Sequence, residues 1–567
     1  MVHEHSADFS PDRDPDLSMI PFDRMSPADV LSRLVLLGNL KASGFGGYYV
    51  ALLQEKDEIL AVGAACALTD SGFVPPAILP RLEELAGYQA VRTKAFNFFM
   101  KHHEYALAEA VCSVPARPQG DIELEGMRAS LANDPATLAR TEVQKFLNTG
   151  LIEHLLEAID HAESDGGWRS ALPLMVKGTL INPQDARWAQ RICRSLLEAN
   201  QLDLLTQFCE IADTIGIFPT VSGLYRAALA GERGAPEEGL KILDRVFVKA
   251  PQRGIEMDAC RVRATLLDKC GRFEAANKYY EKQNILYRTD TFDRDLWIKK
   301  IEQKAALVMP ELPPDENDRY FLMLGFPRSG TTLLENILAS HPAIETFEEI
   351  PAWQSVQQII RHFLDGKLPV PYDAAVKARE RYYREVDRRR KKDTAALFVD
   401  KMPIISGDSV FLDRLFPQKK YIFSIRHPYD VVLSCFRQVF GANQAMDNFT
   451  TMEDTCRAYD FTMGQWFKVH SLESERVCYV RYDHLVQDLQ QEATRTLEFL
   501  GAEWDPSILQ FAKRAQERRN KTPSYQKVRK GVSIGVQTSW RNYEFLFRKP
   551  YARKLDRWVK HFGYEGL

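Results

Sequence analysis

The chain lacks the hydrophobic segments that mark membrane-spanning and secreted proteins. No apolar run in its 567 residues approaches the roughly 20 residues that a helix needs to cross a bilayer. Residues 1–21 are acidic and contain no apolar core of a signal peptide. We therefore expect a cytoplasmic protein with no membrane span.

The cysteines lack any pattern. The nine of them are scattered, with no CxxC pair and no spacing typical of metal ligands. We expect small, buried residues in a reducing compartment and no metal site.

The chain also lacks a large excess of charge of one sign. Its formal net charge of −3 provides no general attraction to nucleic acid. We expect no nucleic-acid partner.

Residues 25–307 have a helical pattern, and residues 1–24 read as a disordered polar leader. The clearest unit is 258–283, in which Phe273 follows a Gly-containing turn and small alanines alternate with aromatic residues. This pattern resembles a tetratricopeptide repeat, and weaker copies precede it. Such helix pairs bury their apolar faces only by stacking, so the pattern predicts an all-α solenoid.

The pattern changes after a proline-rich, acidic stretch at 308–318, which we interpret as a linker. From 319 to 567, short apolar runs alternate with helical segments, which favours an α/β domain with a parallel sheet. The predicted strands are Tyr320–Leu324, Ala396–Val399, Lys420–Ile425 and Val477–Val480. Ligands of such sheets bind beyond the carboxyl ends of the strands.

The loop 325–332, with the sequence GFPRSGTT, lies between the first predicted strand and a predicted helix. A strand, a glycine-bounded loop and a helix N-terminus together form a cradle for anions. A Walker A loop has a lysine after its second glycine, but here Thr331 occupies that position, and Arg328 is the fixed charge. The loop therefore favours a phosphosulfate over a nucleoside triphosphate with Mg²⁺.

Four motifs in this order resemble the sulfotransferase family, and most closely its tyrosylprotein-sulfotransferase-like branch. They are the PRSGTTL loop, the SHP and FEE runs at 340–349, the IRHP run with Ser434 eight residues after its arginine, and VRYDHL at 480–485. The resemblance covers roughly 317–567. It implies a P-loop-like fold and the donor 3′-phosphoadenosine-5′-phosphosulfate (PAPS), without a metal ion.

The resemblance also implies catalytic roles for Glu349, Lys401 and Arg328. Glu349 matches the branch's base, with an ordinary carboxylate at a helix start as the alternative. Lys401, at a predicted strand end, would neutralise charge on the departing phosphate oxygen; the alternative is a solvated surface lysine. Small-molecule sulfotransferases have a histidine directly after this lysine, but here Met402 follows. The absence of this histidine favours Glu349 as the base.

The residues that the resemblance assigns to the nucleotide form a larger group. The 5′ end would be bound by the loop, the 3′-phosphate by an arginine and a serine, and the adenine by a tyrosine that could equally be a core residue. A basic segment near the C-terminus could close over the nucleotide. In chain order these residues are Arg328, Ser329, Gly330, Thr331, Thr332, Arg426, Ser434, Tyr482, Arg529 and Lys530.

Two further stretches have open interpretations. Thr538 or Ser539 could match the branch's Ser-x-Trp stretch, and Arg541 would support its packing. The basic run 377–392 could attract an acidic acceptor, although interspersed carboxylates favour a solvated helix face.

The sequence thus predicts a PAPS-dependent sulfotransferase acting on a protein tyrosine or on a carbohydrate or small-molecule hydroxyl. The helical repeats would recruit the acceptor or a protein partner. One alternative is a scaffold whose nucleotide domain is inactive. A P-loop kinase is disfavoured because Thr331 replaces the required lysine.

Overall fold

The computed structural model describes residues 45–511 and 539–566, apart from short gaps. The gaps are 103, most of 118–134, 167, 215, 247–252, 289–291, 316, 351, 365–367, 393 and 441–442. The chain divides into two compact units, Met1–Leu229 and Ala230–Leu567. The predicted leader, 1–24, lies outside the described residues.

The first unit is helical in all its described elements. Its α-helices are α1 (Phe45–Leu53), α2 (Glu58–Ser71), α3 (Leu79–Leu85), α4 (Gln89–Lys101), α5 (Tyr105–Ser113), α6 (Pro135–Thr149), α7 (Ile152–Gly166), α8 (Trp168–Ile181), α9 (Ala186–Glu198) and α10 (Leu202–Thr214). A 3₁₀ turn spans Pro76–Ile78, and α11 (Pro219–Glu232) crosses the boundary between the units.

Local sequence signals explain how these helices begin and pack. The Asp57 side chain caps α2 by accepting hydrogen bonds from the amides of Ile59 and Leu60. Helices α8 and α9 approach closely because Gly178 faces the buried ring of Trp188, where a Cβ would lie 2.3 Å from the indole. The helical character is confirmed, while the tetratricopeptide assignment stays a prediction.

The second unit contains the remaining helices and a sheet. Its α-helices are α12 (Pro236–Val246), α13 (Arg253–Lys269), α14 (Phe273–Tyr287), α15 (Leu296–Ala306), α16 (Thr331–Ala339), α17 (Ala352–Ile360), α18 (Tyr372–Asp387), α19 (Ser409–Leu415), α20 (Pro428–Phe436), α21 (Met452–Trp466), α22 (Tyr482–Gln487), α23 (Leu489–Leu500), α24 (Glu544–Phe547) and α25 (Asp556–His561). Short 3₁₀ helices lie at Arg361–Phe363, Pro403–Asp408, Met446–Phe449, Pro506–Gln510, Ser539–Tyr543 and Pro550–Leu555.

The sheet has five parallel strands in the described part of the unit. They are β1 (Tyr320–Gly325), β2 (Ile344–Glu348), β3 (Leu397–Lys401), β4 (Tyr421–Ile425) and β5 (Val477–Arg481), in the spatial order β2-β3-β1-β4-β5. The predicted parallel sheet is confirmed. Strand β2 was not predicted, because this short edge strand has a glutamate at its end and reads as the start of a helix.

The strand order creates a crevice at the carboxyl edge of the sheet. From the central β1 the chain moves to the edge strand β2, returns to β3, and then crosses to β4 on the other side of β1. Gly325 is paired with Ser424 at the ends of β1 and β4. Connections that leave neighbouring strands in opposite directions open a ligand-binding crevice between them. The loop 325–332 begins at this crevice, and Arg426 lies at the same place, directly after β4.

Helix α15 and the segment after it pack on the α/β part of this unit. The buried Lys304 ammonium lies 2.5 Å from the Asp408 carboxylate, which also accepts a hydrogen bond from the Trp353 indole. Within the predicted linker, Asp315 forms an ion pair with Lys419 at 3.0 Å. The segment 308–318 therefore lies inside the second unit, and the predicted domain boundaries stay predictions.

Across the described ranges, no helix combines the length and the apolar character needed to cross a bilayer.

Candidate active site

The loop between β1 and α16 is held at its first residue by Ser406. The Ser406 hydroxyl donates to the Gly325 carbonyl at 2.6 Å and accepts from the Gly325 amide at 2.9 Å. A Cβ on Gly325, where φ is 147°, would lie 2.8 Å from both the Ser424 carbonyl and the Ser329 hydroxyl. Glycine is required here because the loop starts so close to β4.

The same loop ends at Gly330, directly before α16. Gly330 has a φ of 106°, and a Cβ there would lie 2.6 Å from the ring of Tyr482. The buried Thr331 and Thr332 form the first turn of α16. The first amides of a helix carry partial positive charge and bind anions. The predicted loop residues therefore form a glycine-bounded turn that leads into the N-terminus of α16 next to the Tyr482 ring.

Arg328 adopts a backbone conformation that is rare for residues other than glycine. Its φ is 72°, and such strain is found preferentially at functional sites. Its Nε donates to the Ser434 hydroxyl at 3.0 Å. Burial is the main cause that lowers the pKa of Arg328, and the neighbouring Arg426 lowers it further. This guanidinium is thus desolvated and close to a second cation.

Arg426 completes this group of predicted residues. Its Nη1 donates to the Arg328 carbonyl at 3.5 Å, and its guanidinium lies 4.6 Å from the centre of the Tyr482 ring. The structure therefore brings together Arg328, Arg426, Ser434 and Tyr482, which come from separate parts of the sequence. We call these four residues the arginine pocket.

Residues after the undescribed segment 512–538 support helix α20. Ser539 donates to the Asp430 carboxylate at 2.9 Å, and Trp540 stacks on His427 with ring centres 5.1 Å apart. Burial lowers the pKa of His427 to about 4, so the ring is neutral near pH 7. The Arg541 guanidinium lies over the Trp540 ring. Ser539 thus braces the helix that carries Ser434.

Three of the predicted residues lie outside the described residues: Arg529, Lys530 and Thr538.

Lys401, at the end of β3, has its ammonium among carboxylates. The Nζ atom lies 3.0 Å from Glu349, 3.4 Å from Glu348 and 3.7 Å from Glu335. The lysine side chain is buried, whereas 43% of the Glu349 side chain is exposed. The solvated-surface alternative for Lys401 is wrong, because the strand end turns the side chain into the protein. We call these four residues the lysine cluster.

Glu349 is positioned by its backbone. It follows β2 with a φ of 49°, and its amide donates to the Lys401 carbonyl at 2.9 Å. Helix α17 begins only at Ala352, so Glu349 lies before the helix and not within its first turn. A strained, half-exposed carboxylate beside a buried ammonium can accept a proton from a bound hydroxyl.

Sequence reasoning missed two buried acids near Lys401. Glu335 is fully buried on α16, and the signal for it was a single charge in the apolar run Thr331–Ala339. Asp400 is the residue before Lys401 and accepts a hydrogen bond from Tyr382 at 2.8 Å. Burial raises the pKa of Asp400 to about 7, although Tyr382 and Lys401 oppose this.

Part of the basic run 377–392 is paired with carboxylates of the same unit. The buried Glu385 carboxylate pairs with Arg381, Arg388 and Arg389 at 2.8–3.1 Å. The Glu345 carboxylate accepts hydrogen bonds from the backbone amides of residues 391 and 392. These contacts favour the interpretation of the run as a helix face with internal ion pairs.

One group in the first unit has the atoms of a metal site. Side-chain donors of Glu142, His154 and Glu157 lie within 4.8 Å of one another. The Lys145 ammonium is already 2.6 Å from Glu142, and His154 is 2.8 Å from the same carboxylate. These partners account for the buried Glu142 without a metal ion.

Comparison with known proteins identifies the region that contains the arginine pocket and the lysine cluster. Residues 321–506 match the model of the sulfotransferase family. The C-terminal region contains a sulfotransferase-family domain. This match confirms the family predicted for that region and covers both the arginine pocket and the lysine cluster.

Curated relatives resemble the sulfotransferase domain at low identity. The chain is 29% identical over 241 residues to an uncharacterized protein of Aquifex aeolicus, covering 40% of this chain and 31% of that protein. It is 29% identical over 253 residues to protein-tyrosine sulfotransferase 2 of Gallus gallus, covering 42% and 62%. The nodulation protein NoeE of Sinorhizobium fredii is 24% identical over 221 residues, covering 34% and 51%. The chain thus spans between about a third and three fifths of the length of these relatives.

Solved structures give weaker likenesses. The sulfotransferase domain of the Synechococcus PCC 7002 olefin synthase aligns with 21% identity and a TM-score of 0.26, over 43% of this chain and 99% of that one. Mouse sulfotransferase SULT7A1, complexed with PAP, aligns with 15% identity and a TM-score of 0.26, over 48% and 91%. The assignment of the sulfotransferase domain rests on the family match and the parallel sheet.

Proposed function

We propose that this chain transfers the sulfuryl group of PAPS to the hydroxyl of an acceptor. The observation that carries the proposal is the meeting of Arg328 and Arg426 at the crevice between β1 and β4. Their neighbouring positions suit one nucleotide with an anionic group at each end. Burial lowers the pKa of Arg328 and the neighbouring Arg426 lowers it further, so an anion bound beside the two guanidinium groups would offset this unfavourable proximity of two cations.

In this proposal the loop and Arg328 bind the 5′ phosphosulfate, whereas Arg426 and Ser434 bind the 3′-phosphate. Tyr482 lies against both Gly330 and Arg426, which is a suitable place for contact with the nucleotide. Arg529 and Lys530 belong to the proposal only through the family resemblance.

The lysine cluster supplies the chemistry. The acceptor oxygen forms a bond to sulfur while the bond between sulfur and the bridging phosphate oxygen breaks. Glu349 takes the acceptor proton, and the electron pair of the broken bond stays on the 5′-phosphate of the product, 3′-phosphoadenosine 5′-phosphate (PAP). Lys401 stabilises that developing charge. Positioning and electrostatic stabilisation are the main sources of acceleration for such a transfer.

A phenol is the first acceptor to test, because one relative is named a protein-tyrosine sulfotransferase. Carbohydrate and other small-molecule hydroxyls stay in the proposal. The helical repeats are proposed to recruit the acceptor or a protein partner. All nine cysteines are free, which supports the proposed cytoplasmic location.

Two measurements on the full chain test the proposal. Calorimetric titration with PAP and with AMP measures recognition of the 3′-phosphate, and we expect clearly tighter binding of PAP. Incubation with ³⁵S-labelled PAPS and fractionated cell extract then measures transfer. Binding of PAP together with labelled product supports the enzyme. Binding without any labelled product favours the inactive-scaffold alternative, and equal affinity for PAP and AMP overturns the assignment of the donor.

A further inference from the structure

The lysine cluster contains two carboxylates, Glu335 and Glu348, that the proposed transfer does not use. Three glutamates share the Lys401 ammonium, but they differ in their access to solvent. The side-chain exposure is 43% for Glu349, 10% for Glu348 and 0% for Glu335. The most exposed can meet an acceptor, whereas the most deeply buried cannot.

Glu335 is the most deeply buried of the three glutamates. It lies on α16, one turn after the loop residues Thr331 and Thr332. One of its oxygens accepts a hydrogen bond from the buried Thr346 hydroxyl at 3.3 Å, and the other is 3.7 Å from Lys401. A carboxylate without access to water depends on protein partners for compensation of its charge. Lys401 is therefore one of the partners that compensate the charge of Glu335.

The charge of Lys401 is maintained by its neighbours. Burial alone would lower the pKa of Lys401, but Glu348, Glu335 and Glu349 outweigh burial and raise it. Asp400, on the same strand, is a further titratable group next to the lysine. When Glu349 accepts a proton it becomes neutral, so one of the three compensating charges is lost at the moment of transfer.

We infer that Glu335 is a positioning residue, a permanent counter-ion that acts with Glu348 to keep the Lys401 ammonium charged and in place while Glu349 is neutral. This inference rests on the proposed function for its role in turnover. The counter-ion relation itself depends only on the geometry of Glu335, Thr346 and Lys401.

A spectroscopic test uses Glu349→Gln to imitate the neutral base. Lysine is labelled with ¹³C at the ε carbon, and the Lys401 signal is assigned by its loss in Lys401→Gln. In Glu349→Gln we expect the signal of an ammonium through about pH 10.4, the ordinary midpoint of lysine. In the double variant Glu335→Gln/Glu349→Gln, burial should outweigh the remaining Glu348, so the lysine titrates below that pH.

Matched controls separate this effect from a general loss of structure. Glu385 is another buried glutamate with basic partners, and Glu385→Gln/Glu349→Gln should retain the lysine titration of Glu349→Gln. Identical lysine titrations with and without Glu335 would overturn the inference. So would a lysine that already titrates below its ordinary midpoint in Glu349→Gln. If the double variant does not fold, Glu335→Ser/Glu349→Gln, which leaves room for water, replaces it with the same expected outcomes.

A kinetic test connects the counter-ion to turnover. In Glu335→Gln, Lys401 attracts the Glu349 anion more strongly, so the acidic limb of the kcat profile should move down by about one pH unit. The maximal kcat should fall about tenfold or more, because the base is less effective. Glu335→Asp keeps the charge and should restore the wild-type position of the limb. A loss of kcat without movement of the limb would indicate a merely structural role and overturn the inference.

The two tests separate this inference from the proposed function. If the wild-type chain transfers no sulfate, the proposed function fails, and the spectroscopic comparison still decides whether Glu335 is the counter-ion of Lys401.

Discussion

The arginine pocket and the lysine cluster lie at the same edge of one sheet, but their cations have different partners. Arg328 and Arg426 donate to a hydroxyl and a backbone carbonyl, and their proximity lowers the pKa of Arg328 beyond the effect of burial. Lys401 instead contacts three carboxylates, which raise its pKa. The first arrangement brings two cations close together, whereas the second surrounds one cation with carboxylates. In the proposed function, the first binds the charged donor and the second keeps a base next to a buried cation.

Removal of Glu349 should have the largest effect on turnover and should leave the arginine pocket intact. We expect Glu349→Ala to lower kcat by about 10²–10⁴-fold, because proton acceptance is lost. The affinity for PAP should change little, since Glu349 lies outside the arginine pocket. Transfer of ³⁵S from PAPS and calorimetry with PAP measure the two quantities separately.

A matched control for Glu349 is Glu345→Ala. Glu345 lies on β2, the strand that directly precedes Glu349, and its carboxylate accepts hydrogen bonds from the amides of Lys391 and Lys392. Its replacement should leave kcat near the wild-type value. Full turnover by Glu349→Ala would remove Glu349 from the mechanism.

Replacement of Arg426 tests the arginine pocket. We expect Arg426→Ala to weaken PAP binding by about 10–100-fold, the value of a hydrogen-bonded charge, and to weaken AMP binding far less, since AMP has no 3′-phosphate. Calorimetric titration with both nucleotides measures the difference. Arg548→Ala is the control for net charge, because this arginine is exposed and forms an ion pair with the exposed Glu544. Equal losses for PAP and AMP would contradict the assigned contact.

The close contact between Gly330 and Tyr482 gives a smaller, steric test of the arginine pocket. Gly330→Ala combines a left-handed φ with a Cβ 2.6 Å from the Tyr482 ring. Gly271→Ala has a φ of 72° but open space around its Cβ, so it should cost only about 1 kcal/mol of folding free energy. We expect Gly330→Ala to weaken PAP binding about tenfold, by displacing the ring that Arg426 covers. PAP affinity in Gly330→Ala equal to that in Gly271→Ala would show that the ring contact does not matter.

The smallest effect concerns stability near the lysine cluster. Burial raises the pKa of Asp400 to about 7, so between its ordinary value and pH 7 the folded state holds a proton that the unfolded state has released. Asp400 therefore lowers the free energy of unfolding as pH rises through this window. Asp400→Asn keeps an acceptor for Tyr382 and removes this decrease in the free energy of unfolding with rising pH.

We expect the Tm of Asp400→Asn, relative to wild type, to increase by about 2–4 °C between pH 4 and pH 8. Differential scanning calorimetry at both pH values measures it. The exposed Asp373→Asn should show no such trend. A Tm difference that is constant with pH would show that Asp400 is ionised in the folded state throughout.

Prediction from sequence succeeded where a function depends on a continuous segment. The order of a strand, a glycine-bounded loop and a helix is local, so the loop 325–332 and the parallel sheet could be inferred from pattern alone. Lys401 and Arg426 were accessible for the same reason, since each directly follows or ends an apolar strand. The edge strand β2 was missed, because its polar end and short length resemble the start of a helix.

The sequence by itself determined four of the five described strands, the glycine-bounded loop after the first of them, and the residues at the ends of those strands. Only the tertiary structure decided that Arg328 and Glu349 adopt left-handed backbone conformations and that Glu335 lies opposite Lys401. Strand order placed β3 between β1 and β2, which brought a helix residue and a strand-end lysine together. Pairing of buried charges depends on distances through space, and those distances are created only when the sheet assembles.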